Sequence, residues 1–214
     1  MIEAVIFDMD GVVIDSGLIH NTAEQKILKS IGIDLTFEEI RKYAGQASTV
    51  WFKKVLSEHN KIADLKELEN KKFEIVYAEL KKNIPVVPGA LELIDLLNGK
   101  LKTALASGSP KKFVNYVVSK LGLYDKFDAI TGYGDFSKPK PDPELFLLMS
   151  KKLNVDPKCC LVIEDAYNGV LAAKNAGMKC VGYVNKYSGN QDLSKADLII
   201  DDLTELSLYK IQNL

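Results

Sequence analysis

The chain has 214 residues, 47% hydrophobic and 27% charged, with a formal net charge of −1. This composition excludes a disordered chain, and no run approaches the roughly 18 apolar residues of a membrane span. Three cysteines cannot staple a fold of this size, and near-zero charge excludes a general nucleic-acid binder, which carries a basic excess. Arg41 is the single arginine, so any anion must be held by lysines, hydroxyls and backbone amides. The opening Met1-Ile2-Glu3-Ala4 has an acid where an export signal carries bases. A cytoplasmic protein with Cys159, Cys160 and Cys180 reduced is expected. No long amphipathic surface demands a partner, so a monomer is expected.

The β-prone run 4–7 predicts a buried strand that stops at Asp8. From 16 to about 82 there is no proline, and apolar residues recur at helical spacing, as at Ile19, Ala23, Ile27 and Ile31. This stretch predicts a bundle of about four helices. After Pro85 and Pro88 the pattern alternates. Helices are expected over 90–97, 110–121, 143–153 and 166–176, and strands over 101–106, 129–131, 160–163, 179–183 and 198–200. Alternating strands and helices imply a doubly wound α/β fold, Rossmann-like, with a parallel sheet and helices on both faces. The expected organisation is a core of residues 1–15 and 86–214, with a helical domain of residues 16–85 inserted after the first strand.

The polar residues gather where strands end. The first strand runs into Asp8-Met9-Asp10-Gly11, and residues i and i+2 of extended chain share a face. The strand 101–106 runs into Ser107-Gly108-Ser109, a hydroxyl with amides at the mouth of a helix, which suits an anion. The strand 160–163 runs into Glu164-Asp165, and a proline-stiffened loop carries Lys138. Ligands of such sheets bind at the carboxyl ends of the strands, so four segments converge on one crevice. Two unit charges 4 Å apart repel by about 4 kcal/mol at an effective dielectric near 20. Clustered carboxylates therefore imply a bound cation, and oxygen ligands suit Mg²⁺. A divalent cation beside an anion cradle points to phosphoryl transfer. No P-loop, dinucleotide fingerprint or nucleophile elbow is present, and His20 and His59 lack the companions of a zinc site.

These residues resemble the haloacid dehalogenase superfamily, over the whole chain and in order. Asp8 to Ser16 reads DMDGVVIDS, close to its first motif, D-x-D-G-[VT]-x-x-D-S. Ser107 stands at the second motif, and Lys138-Pro139-Lys140-Pro141-Asp142 fits the K-P-x-P-D of the third. Glu164 to Met178, EDAYNGVLAAKNAGM, fits the fourth. The chain looks most like the β-phosphoglucomutase and sugar-phosphatase branch, whose α-helical cap lies after the first motif.

The resemblance implies roles. Asp8 would be the nucleophile that takes up the phosphoryl group. Asp10 would be the acid and then the base, its pKa raised by neighbouring carboxylates. Mg²⁺ would be held by Asp8, the Asp10 carbonyl and Asp165, with Glu164 as a further ligand or a support. Ser107, Gly108 and Ser109 would bind phosphate oxygens, and Lys138 would neutralise charge. Substrate choice would lie in the cap, which closes over the site through passages near 12–15 and 83–88. The candidates there are His20, the turn containing Gly45 and Gln46, Trp51, and Lys72, which resembles a lysine for a distal phosphate. The mutases place an arginine a few residues after the cap glycine; here Ser48 stands there.

The leading expectation is a Mg²⁺-dependent phosphatase of small phosphomonoesters, such as sugar phosphates. A β-phosphoglucomutase-type isomerase is the alternative, and a non-catalytic phosphate-binding protein the second. Asp10 argues against a dehalogenase, which needs no such acid.

Overall fold

The computed structural model describes residues 1–214. The chain begins with β1 (Ala4–Phe7), followed by four helices: α1 (Gly17–Ser30), α2 (Phe37–Arg41), α3 (Ser48–Glu58) and α4 (Leu65–Lys82). Then come α5 (Ala90–Leu97), β2 (Lys102–Pro110), α6 (Lys111–Leu121), β3 (Ala129–Tyr133), α7 (Glu144–Leu153) and β4 (Cys160–Glu164). The chain finishes with α8 (Tyr167–Asn175), β5 (Lys179–Tyr183), β6 (Leu198–Ile200) and α9 (Leu208–Gln212). All six strands form one parallel sheet in the order β3-β2-β1-β4-β5-β6. This is the α/β Rossmann-like fold expected from the alternation, and the strand order reverses between β1 and β4.

β1 is apolar at every position because both of its faces are covered. Val5 and Phe7 face one apolar cluster, with Leu105, Val114 and Ile163. Ala4 and Ile6 face the other, with Ala104, Phe146 and Val162. The four helices after β1 have a core of their own around Leu28, Ile40, Trp51 and Phe52. Asp64 starts α4 by accepting from the Lys66 and Glu67 amides at 2.8 and 3.1 Å. No helix is long and apolar enough to cross a membrane.

The two passages between this helical insert and the sheet run side by side. Ile14 and Val86 form an antiparallel bridge. The Asp15 amide donates to the Pro85 carbonyl at 2.7 Å, and the Val87 amide to the Val13 carbonyl at 3.1 Å.

Several element boundaries differ from the sequence reading. The second strand runs four residues further than expected, to Pro110, which pairs with Tyr133 and has an extended ψ of 138°. Pro110 therefore precedes α6 instead of opening its first turn. α7 and α8 likewise begin one residue later than expected, and α9 was not foreseen.

Candidate active site

The switch between β1 and β4 brings the two acidic pairs together. Asp8 leaves β1 with its amide bonded to the Ile163 carbonyl at 3.0 Å. Glu164 ends β4, and Asp165 follows it. Gly11, at φ 93°, turns the chain away after Asp10. A side chain at Gly11 would collide with the Asp165 carboxylate.

The lysine that reaches this cluster is Lys140. Its Nζ lies 2.5 Å from Asp8 Oδ1 and 2.6 Å from Glu164 Oε1. Lys138, the expected residue, is 70% exposed and comes only within 3.8 Å of Asp142. The physical reason lies in the loop: the Ser137 and Lys138 amides donate to Glu144, at 3.2 and 2.8 Å, which holds that stretch outward at the start of α7. A signal for Lys140 was available in the sequence. Lys140-Pro141-Asp142-Pro143-Glu144 repeats the K-P-x-P-acid pattern two residues on and sits nearer the apolar stripe of α7.

Asp10 departs from expectation in its protonation. Its carboxylate accepts from Ser16 Oγ at 2.7 Å, Ser107 Oγ at 3.0 Å and Ser109 Oγ at 2.7 Å, and His20 Nε2 lies 3.4 Å away. Burial alone would raise its pKa. The hydrogen bond and charge of His20, with the Ser16 and Ser109 hydroxyls, outweigh burial and hold it well below the usual carboxylate range. The rise expected from neighbouring carboxylates is outweighed, because four donors surround the Asp10 carboxylate.

Asp8 behaves oppositely. Burial pushes its pKa up to about 8; Lys140 opposes the rise, and the charges of Glu164 and Asp10 add to it. Asp165 is also raised well above the carboxylate range, by burial and by the charges of Glu164 and Asp8. Its carboxylate accepts from the Ser188 hydroxyl. Glu164 is already committed to Lys140 and, through its other oxygen, to the Ala166 amide at 2.7 Å.

This donor set bears on a metal ion. Asp8 and Asp165 are buried carboxylates with too little positive charge beside them, as a cation-binding pair would be. No three Asp, Glu, His or Cys side chains are preassembled around a common point. Two carboxylates, backbone oxygen and retained water suit Mg²⁺, which sheds its water reluctantly. Glu164 supports the cluster through Lys140 and the Ala166 amide.

A cavity of about 450 Å³ opens over these residues, within the range of small-molecule sites. Its floor includes Asp8, Asp10, Gly108, Ser109, Lys140 and Asp165. Ser107 is fully buried behind Asp10, does not line the cavity, and accepts from the Ser109 amide at 2.9 Å. The roof comes from the insert and includes His20, Gly45, Gln46, Trp51 and Lys72. His20 packs edge-on against Phe73 and Phe113. Trp51 is only 2% exposed and stacks on Phe52 and Tyr43, so it is chiefly part of the insert's core. Gly45, at φ 77°, presses onto Ala166: a Cβ there would lie 2.7 Å from that of Ala166. Its carbonyl accepts from Asn168 at 3.2 Å.

Several residues at the site carried no assignment from sequence. Ser16 was inside the first motif but without a role, and Ser188 sits in a loop with no periodicity to mark it. Glu24 follows His20 by four residues, the spacing that shares a helix face.

The parallel sheet thus carries paired carboxylates at its switch point, with the Lys140 ammonium between Asp8 and Glu164. Residues 2–177 match the model of the haloacid dehalogenase-like hydrolases, and the chain belongs to that family. The chain is 33% identical over 204 residues to the phosphorylated carbohydrates phosphatase of Thermotoga maritima, covering 92% of each. Hexitol phosphatase B of Escherichia coli is 29% identical over 211 residues, covering 95% of this chain and 94% of the relative. A crystal structure of β-phosphoglucomutase from Clostridium difficile superposes with a TM-score of 0.86 at 33% identity, covering 100% of this chain and 96% of that one. The chain is thus a haloacid dehalogenase-like hydrolase of the phosphatase type.

Proposed function

We propose that the chain is a Mg²⁺-dependent phosphatase of small phosphomonoesters, with sugar phosphates as the substrate class, working through a phosphoryl group carried on Asp8. The observation that supports this most directly is the buried contact of Lys140 with Asp8, at the floor of a cavity of sugar-phosphate size. Residues 16–85 act in this reading as a cap over the core of residues 1–15 and 86–214.

Asp8 Oδ attacks phosphorus, the bond from phosphorus to the ester oxygen breaks, and the leaving oxygen takes a proton from Asp10. Water then attacks the phosphoryl group, gives its proton to Asp10, and Asp8 is released with inorganic phosphate. In the second half Asp10 enters as the carboxylate, the ionised form that its four donors favour, and accepts the proton of the attacking water. For the first half, Ser109 has a second use. When its hydroxyl turns to a phosphate oxygen, Asp10 loses one of its donors and binds a proton more readily. Lys140 keeps Asp8 oriented and offsets charge on the phosphoryl oxygens. Asp8, the Asp10 carbonyl and Asp165 would hold Mg²⁺, with Glu164 supporting. With the ion bound, positive charge would lie against the phosphoryl oxygens, and the ionised form of Asp8 would be favoured.

The test is phosphate release from a panel of phosphomonoesters with Mg²⁺ or with a chelator, for wild type and Asp8→Asn. Release that needs Mg²⁺ and vanishes in Asp8→Asn is expected. Release that persists in Asp8→Asn rejects Asp8 as nucleophile.

The likeness to a β-phosphoglucomutase and the contact between His20 and Asp10 favour a second reading, an isomerase of hexose phosphates. Conversion of β-glucose 1-phosphate to glucose 6-phosphate with little free phosphate would select it.

A further inference from the structure

The roof of the cavity contains four polar side chains that the reaction above does not use. Asn21, Glu24, Ser48 and Lys72 line it, and each is more than nine-tenths buried, at 5, 8, 7 and 6% exposure. They come from three helices, α1, α3 and α4. Lys72 Nζ lies 2.7 Å from Glu24 Oε1 and donates to Ser48 Oγ at 2.9 Å. Asn21 Nδ2 is buried with no hydrogen-bond partner. A buried amide donor left unpaired is costly, so a group that pairs with it is favoured to bind.

We propose that this end of the cavity is a charge-balanced subsite that takes the hydroxyl groups of a singly phosphorylated sugar or polyol and rejects a second phosphate. The inference rests on the phosphatase reading above and adds the substrate's other end. The donor count carries it. Lys72 spends two of its three protons on Glu24 and Ser48, which leaves one. Glu24 keeps a second oxygen as acceptor, Ser48 keeps its own proton to donate, and Asn21 offers its free amide. A hydroxyl both donates and accepts, so it satisfies this mixture. A phosphate dianion only accepts. It would face the Glu24 carboxylate, and Glu69 adds another acid to the same lining. Lys72 is the only lysine of the roof, its charge already matched by Glu24, and no arginine lines the cavity. Rejection by an unmatched like charge is a common route to specificity. Lys72 therefore does not serve as the free distal-phosphate lysine of the sequence expectation.

The test compares kcat/KM for methyl phosphate, for glucose 6-phosphate and sorbitol 6-phosphate, and for glucose 1,6-bisphosphate, by phosphate release in Mg²⁺. Wild type should favour the better monophosphate over the bisphosphate by about a hundredfold, the size expected for a few lost or unpaired polar contacts. Glu24→Gln, which leaves Lys72 unbalanced, should shrink that ratio at least tenfold. Asn21→Ala leaves the ion pair in place and guards against a Glu24 variant that does not fold. It should lower kcat/KM for the monophosphate about tenfold, chiefly through KM. A wild-type ratio near one, or a ratio that a folded Glu24→Gln leaves unchanged, overturns the subsite, as does Asn21→Ala with wild-type KM. Release from methyl phosphate without any such preference overturns the subsite alone. No release from any of these esters overturns the phosphatase reading and the subsite with it.

Discussion

Lys140 Nζ and Asp8 Oδ1 lie 2.5 Å apart across 132 residues of sequence. The contact ties the loop before α7 to the end of β1, and it makes Lys140 the counter-charge to the two acids at the sheet's switch point. Lys138 is two residues away and belongs to the surface.

Lys140→Met should therefore lower kcat by about 10²–10³, the usual cost of one preorganised charge partner in a phosphoryl or acyl transfer site. Lys138→Met should stay within about twofold of wild type, as exposed ion pairs contribute little. Steady-state phosphate release from one ester decides it, and equal losses in the two variants would reject the assignment.

Gly45 meets Ala166 where the insert touches the sheet side of the cavity. Gly45→Ala adds a Cβ 2.7 Å from that of Ala166 and sits at φ 77°. Stability should fall by about 1 kcal/mol from the backbone alone. If the insert closes on the core through this contact, kcat/KM should fall about tenfold or more, since small misplacements of positioning groups are costly. A thermal melt and an activity assay on the same preparation separate the two effects.

Asp197 governs a pH-dependent part of the stability. Burial would raise its pKa, but Lys174, the Cys180 amide and Lys179, at 2.6, 2.8 and 3.1 Å, hold it below the usual carboxylate value. A folded pKa below the unfolded one, about 4, gives stability present above that value and lost as pH falls through the folded pKa. Asp197→Asn should cost about 1–2 kcal/mol at neutral pH. Urea melts at pH 7 and at pH 3 should show the difference narrowing at the lower pH.

The thiols should be silent while the fold is intact. Burial pushes Cys160 up to about 11, with the charges of Cys159 and Asp156 adding, and burial raises Cys180 as well. Only Cys159 is partly exposed. Iodoacetamide at pH 8 should modify no more than one thiol per native chain and all three after unfolding, as read by mass spectrometry.

The alternation of helices and strands was legible because the central strands are apolar runs that stop at an acidic group, as β1 does at Asp8 and β4 at Glu164. The order of the strands was not, since β1 pairs with β2 and β4 through contacts no local pattern records. Asp8, Glu164 and Asp165 were legible from their places at strand ends. Lys138 was misread because the proline pattern fits two registers, and only the pull of Glu144 on the backbone distinguishes them. The state of Asp10 was missed because it depends on what surrounds its side chain. Spacing shows that Asp8 and Asp10 can share a face, but not that Ser16, His20, Ser107 and Ser109 surround the Asp10 carboxylate. The pairing of Lys72 with Glu24 and Ser48 joins three helices and has no signature in any one of them.

The sheet order has a consequence for how the chain is made. Ala4 of β1 lies opposite Lys102 of β2 on one side and Cys160 of β4 on the other. During synthesis β1 emerges before both of its neighbours, and nearly a hundred residues follow before β2 can pair with it. The four helices between, α1 packing chiefly on α4, lie within a shorter stretch of chain and can associate in that interval. Contacts of long sequence separation form slowly and leave apolar surface open in the meantime. β1, apolar on both faces, is thus the segment that waits longest for its cover, and the nascent chain is most exposed to misassembly where the finished fold is most deeply buried.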